Sequence, residues 1–217
     1  MELISFFVDF VLNIDKHLLE IVQDYRTWTY LILFVIIFME TGFVVTPFLP
    51  GDSLLFAAGA IAANPSEPLN LLPLMLLLIL AAVLGDNVNY YIGRFFGTKI
   101  YDKNYRMIKR EYIDRTHLFY EKHGGKTIII ARFMPIIRTF APFVAGVGTM
   151  TFTRFFLFNI VGGILWVILF CVSGFFFGSI PFVKNNFSIV ILGIIFVSLL
   201  PMIIAFLKNY LDKRKMK

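Results

Sequence analysis

Two arginines lie inside a stretch that is otherwise apolar enough to enter a lipid bilayer. Arg132 and Arg138 are six residues apart within Thr127–Met150, and Pro135 and Pro142 interrupt the same stretch. A guanidinium keeps its charge in proteins and is costly at membrane depth, so it needs an anionic partner there. Two arginines beside helix-breaking prolines therefore indicate a binding site rather than a plain membrane span.

Carboxylates occupy comparable positions in the first half of the chain. Glu40 ends a strongly apolar run, and Asp52 follows the broken sequence Pro47–Gly51. Arginine makes bidentate contacts with phosphate, and a carboxylate shielded from water can load and release a proton. We therefore interpret Arg132 and Arg138 as the phosphate-binding half of a site, and Glu40 and Asp52 as its proton-coupling half.

Two simpler interpretations remain open. The four charges could form salt bridges that only hold the segments together, although buried pairs are poor stabilisers. A fifth ionisable residue, Asp86, lies in an apolar helix and shares one helical face with Asn89 and Tyr90. That face indicates either a transport pathway or hydrogen bonding between helices.

The composition is that of an integral membrane protein. Of the 217 residues, 59% are hydrophobic, and the mean hydropathy is +0.80. A soluble domain of this size could not bury that much apolar surface. The single cysteine and three scattered histidines exclude an internal disulfide and offer no metal-ligand spacing. We expect no metal and no other cofactor.

The distribution of basic residues predicts the orientation in the membrane. Nine of the 20 Lys and Arg residues lie in Arg94–Lys126 and five in Lys208–Lys217, so both segments are expected in the cytoplasm. Basic residues beside a membrane favour anionic lipid headgroups over nucleic acid as partners, or they serve only to set the topology.

The same orientation constrains the stretch that carries the arginines. Phe155–Phe177 and Ile189–Leu207 both have the length and apolarity of full spans. If both cross and both basic segments are cytoplasmic, Thr127–Met150 must leave the membrane on the side where it entered. We therefore predict a re-entrant hairpin there.

The sequence predicts an all-α membrane protein built from two inverted-topology repeats. The pattern of Pro47, Pro50 and Ala58-Gly59 parallels that of Pro135, Arg138 and Ala145-Gly146, and such pairs of broken segments are typical of secondary transporters. The predicted hairpin breaks are Pro47, Pro50, Gly51, Pro135 and Pro142.

The predicted segments follow in chain order. An N-terminal amphipathic helix (1–27) comes before a first repeat (28–97), which has a hairpin at about 41–63 and a transmembrane helix at about 71–95. A basic cytoplasmic amphipathic linker (98–126) leads to a second repeat (127–180), which has a hairpin at 127–150 and a transmembrane helix at about 154–178. A C-terminal transmembrane helix (188–208) and a basic cytoplasmic tail (209–217) follow.

These motifs resemble the DedA family of bacterial inner-membrane proteins, which is related to eukaryotic lipid scramblases with the VTT domain. The resemblance extends from about Trp28 to Phe177, and its most specific part is Ala131–Gly146. Other carriers are Glu40-Thr-Gly, Pro47-Phe-Leu-Pro-Gly-Asp52-Ser-Leu-Leu, Gly85-Asp86…Tyr90…Gly93-Arg94 and Phe119-Tyr-Glu-Lys-His-Gly-Gly125. The family's essential acidic and arginine positions fall on Glu40, Asp52, Arg132 and Arg138.

The resemblance implies transport of a phosphate-bearing lipid, undecaprenyl phosphate or a phospholipid, driven by the proton motive force. The expected function is therefore a flippase of the inner membrane, and the alternative is a proton-coupled small-ion or drug antiporter. The sequence contains neither an Asp-rich metal motif nor a histidine phosphatase pattern, so we expect no catalytic residues. Assembly as a homo-oligomer is left open.

Overall fold

The computed structural model describes residues 14–43, 51–66, 68–103, 124–148 and 150–215, and all regular secondary structure in these ranges is helical. The prediction of an all-α protein is confirmed. Pro47 and Pro50, the chain before residue 14 and most of the predicted central linker lie outside the described residues. The helices are α1 (Ile14–Tyr25), α2 (Trp28–Gly42), α3 (Gly51–Ala62), α4 (Leu71–Lys103), α5 (Lys126–Ala131), α6 (Pro135–Val147), α7 (Phe152–Phe177), α8 (Pro181–Asn185) and α9 (Phe187–Lys215).

Two of these helices are long and apolar enough to cross a membrane. They cover Leu71–Gly97 in α4 and Phe152–Phe177 in α7. Along α4, a leucine is exposed every four residues on one helical face. Such an uncovered apolar stripe is suited to contact with lipid rather than water. The exposed leucines are Leu72, Leu76, Leu80 and Leu84.

Helices α2 and α3 leave one end of the molecule and return to it. The hydroxyl oxygen of Tyr30, near the start of α2, accepts a 2.7 Å hydrogen bond from the backbone N–H of Asn70, which precedes α4. With 15 residues, α2 is about 22 Å long, which is shorter than the roughly 30 Å hydrocarbon core of a bilayer. The chain between Tyr30 and Asn70 thus begins and ends beside the start of α4.

Helices α5 and α6 make the same excursion from the other end of α4. Gly125, just before α5, lies directly against the ring of Phe158 in the first turns of α7. Toward the end of α6, Val147 lies against Gly97, which is 26 residues into α4 by sequence number. The two short helix pairs therefore open toward opposite ends of the molecule.

Glycines bring the short and long helices into backbone contact at two crossings with the same pattern. In each crossing, both helices contribute a glycine, and each glycine lies against a backbone carbonyl oxygen of the other helix. On each helix, the glycine and the residue that supplies the carbonyl are three positions apart. A Cβ atom at any of these glycines would overlap the facing oxygen, so only glycine permits the approach. The pairs are Gly59 with Cys171 and Gly174 with Phe56 between α3 and α7, and Gly146 with Tyr90 and Gly93 with Phe143 between α6 and α4.

Helix α1 is amphipathic and packs along α3. Leu18 and Val22 are buried, whereas Lys16, Glu20 and Asp24 are exposed. The apolar face of α1 therefore extends the large hydrophobic core that α2, α3, α4 and α7 share with the start of α9. A second, smaller core lies where α4, α5, α6 and α7 meet.

Candidate functional site

Arg138 lies at the buried meeting point of the two short helix pairs. Met134 has an extended backbone and Pro135 begins α6, since a proline at the first helical position is pre-set for the helix and leaves no unpaired N–H. This start puts Arg138, only 6% exposed, in the first turn of α6. Its guanidinium forms ion pairs with both Glu40 and Asp52.

Glu40 is held in the last turn of α2 against the start of α3. It is fully buried, and its Oε1 accepts a 3.2 Å hydrogen bond from the backbone N–H of Gly51. A Cβ atom at position 51 would overlap the Glu40 carboxylate, so a glycine is required at this position. The predicted break at Gly51 thus coincides with the start of α3, and the absence of a side chain there leaves space for the Glu40 carboxylate.

Asp52 connects three further helices through its carboxylate. Its Oδ1 is paired with Arg138 of α6 and accepts a 2.9 Å hydrogen bond from the indole Nε1–H of Trp166 in α7. Its Oδ2 accepts a 2.9 Å hydrogen bond from the hydroxyl of Ser198 in α9. A single carboxylate therefore ties α3 to α6, α7 and α9.

Arg132 forms a separate pair next to this cluster. It is 3% exposed in the turn between α5 and α6, and its Nη2 contacts Asp86 of α4 and Oδ1 of Asn159 of α7. The amide of Asn159 donates to the carbonyl oxygen of Val83 at 3.1 Å and to Oδ1 of Asn87 at 3.2 Å. Arg132 thus joins the break before α6 to both long helices.

The side chain of Trp166 lies beside both guanidiniums. The Cζ atoms of Arg138 and Arg132 are 5.1 Å and 5.8 Å from the indole ring centroid, which is within the range of cation–π attraction. Since Trp166 is fully buried and also bonds Asp52, it connects the Arg138 and Arg132 clusters into one charged core.

Some polar atoms of the charged core have no hydrogen-bond partner among the described residues. Within the described residues, Nε of Arg132, Nε of Arg138 and Oε2 of Glu40 have no hydrogen-bond partner in the protein. Three carboxylates face two guanidiniums, so the core carries one excess negative charge when all five groups are ionised. In the described ranges, no group of three or more His, Cys, Asp and Glu residues could hold a metal ion.

The structure brings together three of the four predicted core residues directly, and the fourth through Trp166. Arg138 contacts both Glu40 and Asp52, whereas Arg132 pairs with Asp86. Arg132 therefore has a different carboxylate partner from Arg138, because Arg132 precedes α6 and faces α4 and α7. The division of these residues into a phosphate-binding half and a proton-coupling half stays a prediction.

The remaining predicted site residues have structural partners. The amide of Asn89 donates to the backbone oxygens of Thr41 at 3.2 Å and Thr139 at 2.7 Å, which ties α4 to α2 and α6. The hydroxyl of Tyr90 donates to the carbonyl of Met150 and accepts a 3.1 Å hydrogen bond from Arg94.

Pro142 is a correction to the predicted hairpin breaks. Helix α6 continues through it, so Pro142 is not the end of a segment. Its ring nitrogen carries no proton, and the carbonyl of Arg138 therefore lacks the donor that a helix normally supplies four residues later. Pro135, in contrast, is the first residue of α6.

Three residues of the core were not recognised from the sequence. Trp166 is buried near the middle of α7, and Asn159 and Ser198 form hydrogen bonds with the charged groups. The position of Trp166 in its helix could have identified it, because tryptophan in membrane helices is usually found near the helix ends. Trp166, in contrast, is far from both ends of α7.

Comparison with known proteins gives matches over nearly the whole chain. Residues 49–176 match the VTT domain. The sequence is 55% identical to "Protein DedA" of Escherichia coli K12 over 210 residues, 96% of each chain. It is 44% identical to the "Uncharacterized membrane protein Rv0364" of Mycobacterium tuberculosis over 84% of this chain and 80% of that one. It is 34% identical to the "Inner membrane protein YghB" of Escherichia coli K12, over 82% and 78% respectively. No solved structure matches the chain.

Proposed function

Because the chain belongs to the DedA family of membrane proteins, with a VTT domain over residues 49–176, we propose that it translocates a phosphate-bearing lipid across the membrane. The substrate class is undecaprenyl phosphate or a phospholipid, and translocation depends on the proton motive force. In this proposal the protein is a transporter and not an enzyme, it lies in a bacterial inner membrane, and its central basic segment and C-terminus are cytoplasmic.

The observation that carries the proposal is the contact of Arg138 with both Glu40 and Asp52. A guanidinium binds two carboxylates and a phosphate through the same N–H groups. Protonation of Glu40 and Asp52 would release Arg138 to a phosphate headgroup, and deprotonation would return it to the carboxylates. This exchange couples proton uptake to headgroup binding without leaving a buried charge unpaired.

The architecture supports access to Arg138 from both sides of the membrane. The pair α2 and α3 opens toward one end of the molecule and the pair α5 and α6 toward the other. The end of α2, the start of α3 and the start of α6 meet at the charged core. The repeated glycine crossings support our interpretation of these pairs as two inverted repeats with re-entrant hairpins. In the proposed cycle, each hairpin gates access from its own side while the apolar tail stays in the bilayer.

Substitution of Arg138 tests this function. We expect purified Arg138→Ala in proteoliposomes with a proton gradient to lose translocation of a labelled phospholipid or polyprenyl phosphate. Arg138→Lys should also fail, because an ammonium cannot form the bidentate contact. The matched control is Arg154→Ala, which removes an exposed arginine at the start of α7. Unchanged translocation in Arg138→Ala would refute the proposal.

A proton-coupled small-ion or drug antiporter is the second candidate, and the excess negative charge of the core favours it. Three buried carboxylates against two arginines would suit a site that exchanges a proton for another cation. Cation-driven proton flux in vesicles without the lipid substrate would support the antiporter. Release of inorganic phosphate from the lipid would instead indicate an enzyme.

A further inference from the structure

A cavity of about 600 Å³ lies at the end of the molecule toward which α2 and α3 open. Its walls come from the end of α1, the end of α3 with the following turn, the turn after α7, and α8 with the start of α9. The residues that line it include Ala60 and Gly178, which lie against each other beside the α3–α7 crossing. The cavity therefore lies at the opposite end from Gly125 and the start of α7.

The lining is divided into a buried apolar floor and an exposed polar rim. Ala57, Ile61 and Phe187 of the floor are at most 8% exposed. The rim is exposed and carries the amides of Gln23 and Asn64, the hydroxyl of Ser179 and the ammonium of Lys184. Such a division suits an amphiphilic ligand whose polar group stays at the surface and whose apolar part is buried.

Lys184 sets the charge of the ligand. Among the described residues that line the cavity, it is the one with a formal charge, and no carboxylate accompanies it there. Amide, hydroxyl and ammonium donors around one cavity suit the oxygens of a phosphate group.

We propose that this cavity binds the phosphate group of a lipid before or after its passage through the charged core. The inference rests on the proposed function and adds a second, peripheral site to it. Helix α3 connects the two: its last turn forms part of the cavity floor, and its first turn carries Asp52. Over its 12 residues, a helix extends about 18 Å, so a headgroup bound at the cavity is separate from Arg138.

Native mass spectrometry of the purified full-length protein can test the site. The probes are phosphatidic acid, a diacylglycerol with the same chains, and inorganic phosphate. We expect Lys184→Gln to raise the Kd for phosphatidic acid by about fivefold, the loss of one partly exposed charge-assisted contact, and to leave diacylglycerol binding unchanged. Ala63→Phe, which fills the cavity from its half-buried edge, should weaken binding as well.

Arg26→Gln is the matched control. Arg26 is exposed on the same end of the molecule and lines a neighbouring depression that shares Gln23 with the cavity. Equal weakening by Arg26→Gln and Lys184→Gln would indicate general attraction to surface charge and would overturn the proposal, as would unchanged binding in Lys184→Gln. If Lys184→Gln lowers the affinity for inorganic phosphate to the same extent, the cavity takes the free anion and the lipid assignment is wrong.

The outcome is separable from that of the proposed function. Arg138→Ala should lose translocation yet keep phosphatidic acid binding at the cavity, since Arg138 does not line it. If translocation survives in Arg138→Ala while Lys184→Gln still weakens binding, the cavity site stands and the role of Arg138 falls.

Discussion

The indole N–H of Trp166 donates a 2.9 Å hydrogen bond to Oδ1 of Asp52, the same oxygen that Arg138 contacts. One carboxylate oxygen thus accepts from a neutral donor and from a cation, while the guanidinium lies 5.1 Å from the indole centroid. The three side chains come from α3, α6 and α7 and constrain one another. Trp166, which carries no charge, therefore helps Glu40 and Asp52 to fix the orientation of Arg138.

Trp166→Phe removes the hydrogen bond to Asp52 and also leaves a cavity, because the phenyl ring is smaller than the indole. We expect the free energy of unfolding to fall by at least about 1.5–3 kcal/mol, the usual contribution of a hydrogen bond to a charged group, because the cavity adds to that loss. Lipid translocation should fall severalfold. Thermal unfolding in detergent and the proteoliposome assay measure the two effects. Trp28→Phe is the control, because Trp28 is 68% exposed and its replacement should change neither.

A double-mutant cycle on Arg132 and Asp86 should show whether their ion pair is only structural. Asp86→Leu alone leaves a buried guanidinium unpaired and should cost about 3–5 kcal/mol of stability. Arg132→Met combined with Asp86→Leu should recover much of this loss, since apolar residues of similar volume can replace a buried pair.

Translocation is the second readout of that cycle. Under the proposed function, the double variant folds but remains inactive, because no guanidinium is available in the Arg132 cluster. A double variant that regains both stability and translocation would assign the pair a structural role alone.

The glycine crossings predict large effects from single methyl groups. Gly59→Ala and Gly146→Ala should each lower the free energy of unfolding by about 2 kcal/mol or more, because the added Cβ would overlap a carbonyl oxygen of the facing helix. Similar losses at the two positions would support two equivalent crossings. Gly193→Ala is the control: its Cβ would have no atom within 4 Å, so stability should be unchanged or rise by up to about 1 kcal/mol.

Gly51→Ala should damage the site more than the fold. The added Cβ would displace the Glu40 carboxylate, which accepts the Gly51 N–H at 3.2 Å and pairs with Arg138. We expect translocation to fall by about tenfold or more, equivalent to a loss of at least 1.4 kcal/mol in transition-state stabilisation. In Gly162→Ala, the new Cβ would lie 3.4 Å from its nearest neighbour, an ordinary contact, so that variant should retain activity. Equal activity in both variants would argue against a role for the position of Glu40.

The amino-acid composition and the local positions of glycine, proline and charged residues were sufficient to predict a helical membrane protein and to single out its buried charged residues. Apolar content indicates the bilayer, and the starts of α3 at Gly51 and α6 at Pro135 follow from backbone restrictions that act within a few residues. Glu40, Asp52, Arg132 and Arg138 were conspicuous because a charge within an apolar segment needs a partner, wherever that partner lies in the chain.

Only the tertiary structure decided which partner each charge has. Arg132 pairs with Asp86 and not with Glu40 or Asp52. Asp52 accepts hydrogen bonds from Trp166 and Ser198, which lie in helices more than a hundred residues away in sequence. These pairings depend on which helix crosses which, and close backbone contacts at the glycines of α3, α4, α6 and α7 determine the crossings. Charge type and local geometry are properties of short segments, whereas distances between helices result from packing of the whole chain.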